Sequence, residues 1–384
     1  MAIRQKARVL IVDDAVVIRR IVTDVLAADP QIDVVGTAAN GRIALQKIPQ
    51  VSPDLVTLDI EMPEMDGLET LREIRRLYPT LPVIMFSTLT ARGAEATLDA
   101  LTLGASDYVT KPANVGSVAT AQQRVRDELI PKIKSLCQVG SAATLAARPI
   151  AASAALPRAA VVPVPAGTQA TTGEVEIVAI GVSTGGPNAL AAILPHLPGD
   201  LRVPIVIVQH MPPMFTKFLA ERLDRQAALT VVEATAGEVI RPGVVYVAPG
   251  NFHLVLDRRG GRTFTGLNQD APENSCRPAV DVLFRSVAGI FGSRALGVIL
   301  TGMGQDGLRG CEDLRRAGSP VFVQDEDTSI VWGMPGFVAR AGLADRVIPL
   351  PAIASEITRR VAVRDQPPAA LVSVGPRAAV TRIS

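Results

Sequence analysis

Ser183, His210 and Asp306 hold the residue types of a serine hydrolase at three widely separated points of the chain. Ser183 lies in Gly181-Val182-Ser183-Thr184-Gly185-Gly186, directly after the apolar run Ile177-Val178-Ala179-Ile180. The pattern fits G-x-S-x-G, in which a strand-to-helix turn presents a serine hydroxyl above a sheet. The flanking glycines allow backbone angles that a Cβ resists and let a substrate approach closely. The plain alternative is a strand–turn–helix whose serine is only an N-cap. As a nucleophile the serine needs a base, and the chain offers 3 histidines. His196, in Leu-Pro-His-Leu-Pro, reads as a helix-end surface residue, and His253 opens a short strand with no supporting acid nearby. His210 directly follows the continuous apolar run 203–208, the pattern of a strand buried on both faces. If successive parallel strands lie side by side, Ser183 and His210 share one carboxyl edge. A third apolar run, 295–300, leads into Thr301-Gly302-Met303-Gly304-Gln305-Asp306-Gly307. That turn places Asp306 at a helix start on the same edge, where it can orient the base through its far nitrogen. Backbone N–H groups in such turns can hold an oxyanion, and the Thr184 and Met303 amides are candidates. The order Ser, His, Asp differs from the Ser, Asp, His of the α/β-hydrolases, so the elbow-like motif does not imply that fold.

A second constellation lies upstream. Asp13, Asp14, Asp59, Ser87 and Lys111 each fall at the end of an apolar run. Carboxylates converging on one edge repel unless a cation neutralises them, and an all-oxygen set suits Mg2+ with an incoming phosphate. An aspartate beside such an ion can accept a phosphoryl group. Ser87 and Lys111 would hold the added oxygens.

The elements that must position these residues alternate strand and helix. Strands are expected at 8–12, 32–38, 55–58, 83–86 and 107–109, and helices at 15–28, 41–48, 67–77, 91–101 and 115–130. The alternation resumes after residue 174, with strands at 177–180, 203–208, 229–233, 244–247, 253–256, 262–264, 295–300 and 320–323. Helices there are expected at 187–194, 215–223, 279–291 and 306–317. This predicts two doubly wound α/β domains, each mostly parallel, with ligands at the carboxyl ends of the strands. The boundaries read as 1–134, a linker rich in Ala and Pro at 135–173, a second domain at 174–365 and a loose tail at 366–384. A net charge of +2 with scattered basic residues argues against a nucleic-acid surface. No apolar stretch is long enough to span a membrane, and the N-terminus does not read as a signal peptide. Cys137, Cys276 and Cys311 follow no ligand spacing and read as reduced thiols of a cytoplasmic protein.

The segments VDDA, LDIEMPEMDG, FSTLT and DYVTKP resemble the flavodoxin-like receiver domain of two-component response regulators. The resemblance implies Asp59 as phosphoacceptor, with Asp13, Asp14, Asp59 and the backbone carbonyl of Glu61 as Mg2+ ligands. It further implies Ser87 and Tyr108 as switch residues, Lys111 as the phosphate contact and a histidine kinase as phosphodonor. GVSTGGP, QHMPPMFT, VYVAPGNFH, SCRPAVDVLF, TGMGQDG and QDEDTSIVWGMP resemble the catalytic domain of chemotaxis protein-glutamate methylesterases/glutamine deamidases. This implies Ser183 as nucleophile, His210 as base, Asp306 as orienting acid and Thr184 and Met303 as site-forming residues. The expected activity is phosphorylation-controlled hydrolysis of glutamyl methyl esters, and deamidation of glutamines, on chemoreceptors. The esterase chemistry needs no cofactor, and a monomer is expected. A non-enzymatic adaptor, whose receiver drains phosphoryl groups and whose second domain only binds a partner, is the rival reading.

Overall fold

Residues 6–111, 118–139 and 174–362 are described by the structure, a computed structural model. The first domain runs β1 (Ala7–Val12), α1 (Val16–Ala27), β2 (Ile32–Ala38), α2 (Gly41–Val51), β3 (Leu55–Asp59), α3 (Gly67–Leu77), β4 (Val83–Ser87), α4 (Ala91–Thr102), β5 (Asp107–Thr110) and α5 (Val118–Leu136). Local chemistry sets the helix starts. Asn40 and Thr90 accept backbone N–H bonds at the heads of α2 and α4, and Asp66 with Glu69 forms a capping box on α3. The strands form a parallel sheet in the order β2-β1-β3-β4-β5. Alternate β1 residues feed opposite cores: Val9 and Ile11 pack with α1 and α5, while Leu10 and Val12 face the other way.

The second domain runs β6 (Ile177–Val182), α6 (Gly186–Ile193), β7 (Ile205–Gln209), α7 (Phe215–Asp224), β8 (Thr230–Glu233), β9 (Val244–Val247), β10 (His253–Arg259), β11 (Arg262–Asn268), α8 (Val280–Phe291), β12 (Ala295–Ile299), α9 (Leu308–Arg316), β13 (Val321–Gln324), α10 (Met334–Arg340), β14 (Arg346–Ile348) and α11 (Leu350–Ala362). Its 7-stranded sheet has the order β14-β13-β12-β6-β7-β9-β8, all parallel, and β10-β11 is a separate antiparallel hairpin. The order reverses at β6, so the crevice between β6 and its neighbours is the switch point where ligands gather. Every β6 residue is buried, as the unbroken apolar run requires.

The expected strands and helices recur with shifts of a few residues at their ends. The sequence pattern assigns nothing beyond residue 323, yet α10, β14 and α11 follow. These are short or carry prolines at their starts, so tertiary packing more than periodicity defines them. The expected linker from residue 140 onward and the expected tail at 366–384 lie outside the described residues. Among the described residues, no helix is long and apolar enough to cross a membrane.

Candidate active site

Strand register brings the three hydrolase residues to one edge. Val182 pairs with Gln209, so Ser183 and His210 follow paired positions, and the His210 N–H donates to the Val182 carbonyl at 3.2 Å. On the other side Ile299 pairs with Gly181, and the Ser183 N–H donates to the Thr301 carbonyl at 3.0 Å. Gly302 is required there, because a Cβ would lie 2.8 Å from the Ser183 Cβ and 2.5 Å from the Met334 sulfur. Gly185, at φ +77, lets the chain turn straight from the serine into α6. Ser183 is therefore not an N-cap; that position belongs to Gly185.

His210 Nε2 and Asp306 Oδ2 are 2.8 Å apart. Asp306 does not start a helix, as its sequence position suggested: α9 begins at Leu308 after an N-cap at Gly307. The positive φ of Gly307 turns the aspartate back onto α8 instead, where it accepts the N–H groups of Val280 (2.7 Å) and Asp281 (3.1 Å). It also accepts the Gly307 N–H and the Asn274 side-chain amide. Burial alone would raise the Asp306 pKa, but His210 and these N–H donors hold it below the usual carboxylate range. For His210, burial disfavours the imidazolium, while Cys276 and Asp306 favour it, and the balance pushes its pKa up to about 10. The other ring nitrogen, Nδ1, faces the Cys276 sulfur at 3.7 Å. Among the described residues, the Ser183 hydroxyl has no hydrogen-bond partner. Catalytic hydrogen bonds are often loose in resting sites and tighten with substrate.

The first domain lies directly on this edge. Thr184 Oγ1 donates to Asp107 Oδ2 of β5 at 2.9 Å, and Asn188 Nδ2 donates to the Leu101 carbonyl at 2.8 Å. Arg222 of α7 bonds Asp99 (2.6 Å) and Thr102 (2.7 Å) of α4. Tyr108 stacks on Phe215 with ring centroids 5.0 Å apart and planes 7° from parallel. Tyr108 is thus buried between domains, and burial drives its hydroxyl pKa far up.

The upstream constellation converges as expected. Carboxylate oxygens of Asp13, Asp14 and Asp59 lie within 4.8 Å of one another. Lys111 Nζ sits 3.2 Å from Asp13 Oδ2 and 2.6 Å from Asp59 Oδ2. Burial raises both aspartate pKa values, and the Asp13 charge adds to the shift at Asp59, which reaches about 6 although Lys111 opposes it. Asp13 Oδ2 and Asp59 Oδ2 are buried, and the Lys111 ammonium is a shared ion-pair partner of both. Buried carboxylate oxygens that must share one lysine fit a hard divalent cation. The Glu61 N–H bonds Asp59 Oδ1 at 3.2 Å, which folds the Glu61 backbone over the site. The Ser87 hydroxyl donates away from Asp59, to the Gly93 carbonyl at 2.9 Å.

Of the other histidines, His196 is exposed, and His253 is buried with both ring nitrogens against the backbone of Ala271 and Ala279. Met303 is half-buried beside Gly302 in the turn. Sequence reasoning missed Asn274, whose amide bridges Asp281 and Asp306, and Asp107, which reads only as the first residue of a strand. It also missed the placement of Cys276, although this residue lies in the quoted segment SCRPAVDVLF.

A family model described as CheB methylesterase matches residues 178–357, and one described as response regulator receiver domain matches residues 9–122. The chain is 55% identical over 356 residues to a protein-glutamate methylesterase/protein-glutamine glutaminase of Trichodesmium erythraeum, covering 93% of this chain and 99% of that one. It is 53% identical over 369 residues to a protein of the same name from a Nocardioides species, covering 92% and 95%. The crystal structure of the Thermotoga maritima CheB methylesterase catalytic domain is 46% identical, with a TM-score of 0.48, over 48% of this chain and 98% of that chain. With such relatives spanning nearly its whole described length, the chain belongs to the CheB family of protein-glutamate methylesterases/protein-glutamine glutaminases, a receiver domain joined to a methylesterase domain.

Proposed function

We propose that this protein hydrolyses glutamyl methyl esters, and deamidates glutamines, on the cytoplasmic helical regions of chemoreceptors, and that phosphorylation of its own receiver turns the activity on. The observation that carries the reading is the 2.8 Å His210–Asp306 contact at the switch point beside Ser183. Ser183 attacks the γ-carbonyl carbon. His210 takes the hydroxyl proton on Nδ1, because Asp306 holds Nε2 as the donor. The Thr184 and Met303 amides receive the oxyanion. Collapse of the tetrahedral intermediate expels methoxide, which leaves as methanol with the proton from His210. Water, deprotonated by His210, then cleaves the acyl-serine to free glutamate. From a glutamine the leaving group is ammonia.

In the receiver, Asp59 accepts a phosphoryl group from a histidine kinase. Asp13, Asp14, Asp59 and the Glu61 carbonyl would hold Mg2+, which supplies charge neutralisation for the carboxylates and the incoming phosphoryl oxygens. Lys111 pairs with the phosphoryl group, and the Ser87 hydroxyl turns to it from the Gly93 carbonyl. Movement along β5 then weakens the Asp107–Thr184 and Tyr108–Phe215 contacts, which are the observed cover over the serine turn. The catalytic unit in this reading is 174–365, the receiver 1–134, and the protein works as a cytoplasmic monomer without nucleic acid or membrane insertion.

Methanol release from methylated receptor, with and without acetyl phosphate, tests both halves. Wild type responds to phosphodonor, Asp59→Asn keeps only the basal rate, and Ser183→Ala releases none. Turnover by Ser183→Ala would reject the nucleophile; a full phosphodonor response in Asp59→Asn would reject the gate.

A further inference from the structure

We propose that His210 and Cys276 form a binding site for a thiophilic divalent cation of the Zn2+ type, and that its occupancy silences the esterase by capping the catalytic base. Zinc bonds to sulfur and imidazole nitrogen are ~2.3 and ~2.0 Å long, so two such ligands at a tetrahedral angle stand about 3.5 Å apart. Cys276 Sγ and His210 Nδ1 are separated by 3.7 Å.

The surroundings are those of a metal-ligating histidine. Such a ring donates its other N–H to a carboxylate, which fixes the tautomer and aims the free lone pair. Asp306 does this at Nε2, 2.8 Å away. Asp306 stays an outer partner, because its oxygens already receive the N–H groups of Val280, Asp281 and Gly307 and the Asn274 amide. The sulfur is held by a tight turn. Asn274 and Ser275 have φ of 52° and 63°, and Glu273 and Cys276 exchange two backbone hydrogen bonds across it. Ligand atoms of His210, Cys276 and Asp306 all lie within 4.8 Å of one another.

Binding displaces the thiol proton and any proton on Nδ1, both of which go to water, and forms one metal–sulfur and one metal–nitrogen bond; waters complete the coordination. The nitrogen that would accept the Ser183 proton is then occupied. The soft N,S pair distinguishes this site from the all-oxygen cluster of Asp13, Asp14 and Asp59.

The inhibition rests on His210 being the base, whereas metal binding does not, so two readouts are needed. Full-length reduced protein is titrated with Co2+ while the near-ultraviolet thiolate-to-cobalt charge-transfer band is followed. The band is expected in wild type and in Ser183→Ala, and its loss is expected in Cys276→Ala and Cys276→Ser. The receiver cluster cannot produce it, having no sulfur. Zn2+ is then titrated into the methanol-release assay, each variant measured against its own zinc-free rate. The cysteine variants are expected to need at least tenfold more Zn2+ for half-inhibition. Absence of the band in wild type, its persistence in both cysteine variants, or unchanged zinc sensitivity overturns the proposal. A band with normal turnover by Ser183→Ala would instead keep the metal site and reject the serine mechanism.

Discussion

Asp59 and Asp306 are both buried aspartates at the carboxyl edge of a parallel sheet, and burial pushes both toward protonation. They nonetheless end on opposite sides of the usual carboxylate range. Asp306 is surrounded by donors: an imidazole, three backbone N–H groups and an amide. Asp59 faces a second carboxylate, Asp13, and one lysine must serve both. The difference separates a finished electrostatic environment from an unfinished one. At the esterase edge the Asp306 carboxylate is satisfied, and what remains is access, a turn of the serine hydroxyl and loss of the His210 proton. The receiver edge carries a deficit that, in the proposed scheme, a cation and a phosphoryl group fill.

The largest effect that can break this contrast is at the serine. Ser183→Ala should lower methanol release by a factor on the order of 10⁴ or more, as loss of a triad nucleophile does. A milder loss would mean that the satisfied edge is not the chemical one.

The deficit at Asp59 can be measured as stability. Its folded pKa is raised from 3.8 to about 6. The carboxyl group therefore favours folding below pH 3.8, and that advantage is lost as pH rises through about 6. Above that, ionised Asp59 is a standing cost of roughly 2–3 kcal/mol. In chelator at neutral pH, Asp59→Asn should raise the urea midpoint of the receiver transition, and Mg2+ should stabilise wild type much more than the variant. Equal midpoints in chelator would show that Lys111 already balances the site.

Contact between the two edges comes next. Removing Asp107 and Arg222 together, as Asp107→Ala/Arg222→Ala, should raise basal methanol release by roughly tenfold without phosphodonor, within the 1–3 kcal/mol usual for coupled sites. An unchanged basal rate with intact folding by circular dichroism would mean that the observed interface does not restrain the esterase.

The smallest expected shift is in pH dependence. In its proposed role as base His210 must be neutral, so activity of the unphosphorylated enzyme should rise with pH toward its value of about 10. Cys276 is among the groups that raise that value. Cys276→Ala should move the rising limb to lower pH by about a unit, read from kcat/KM against pH. A limb that stays in place would put the cause on Asp306 alone.

Much of this was legible because strand ends are local facts. The apolar runs before Asp13, Asp59, Ser183 and His210 place each residue at a carboxyl edge whatever the tertiary detail, and parallel neighbours then bring them together. Asp306 shows the limit. Its position near a helix is written in the sequence, but which helix it caps depends on the turn at Gly307 and on how α8 packs beneath β6. Asn274 and Cys276 reach the site from a turn with two residues in the left-handed region, for which no periodicity exists. Asp107 looks like any strand residue because one of its partners, Thr184, belongs to the other domain, and another, Lys132, lies on α5.

One strand carries both ends of the proposed signal. Lys111, which pairs with Asp59, follows the last residue of β5, while Asp107 and Tyr108 at its start touch Thr184 and Phe215. About four residues of extended chain, roughly 13 Å, separate the two. Under that proposal such a strand has little freedom to accept substitutions. A substitution on β5 would then act twice, on receipt of the phosphoryl group and on release of the esterase, which ties the two properties together there.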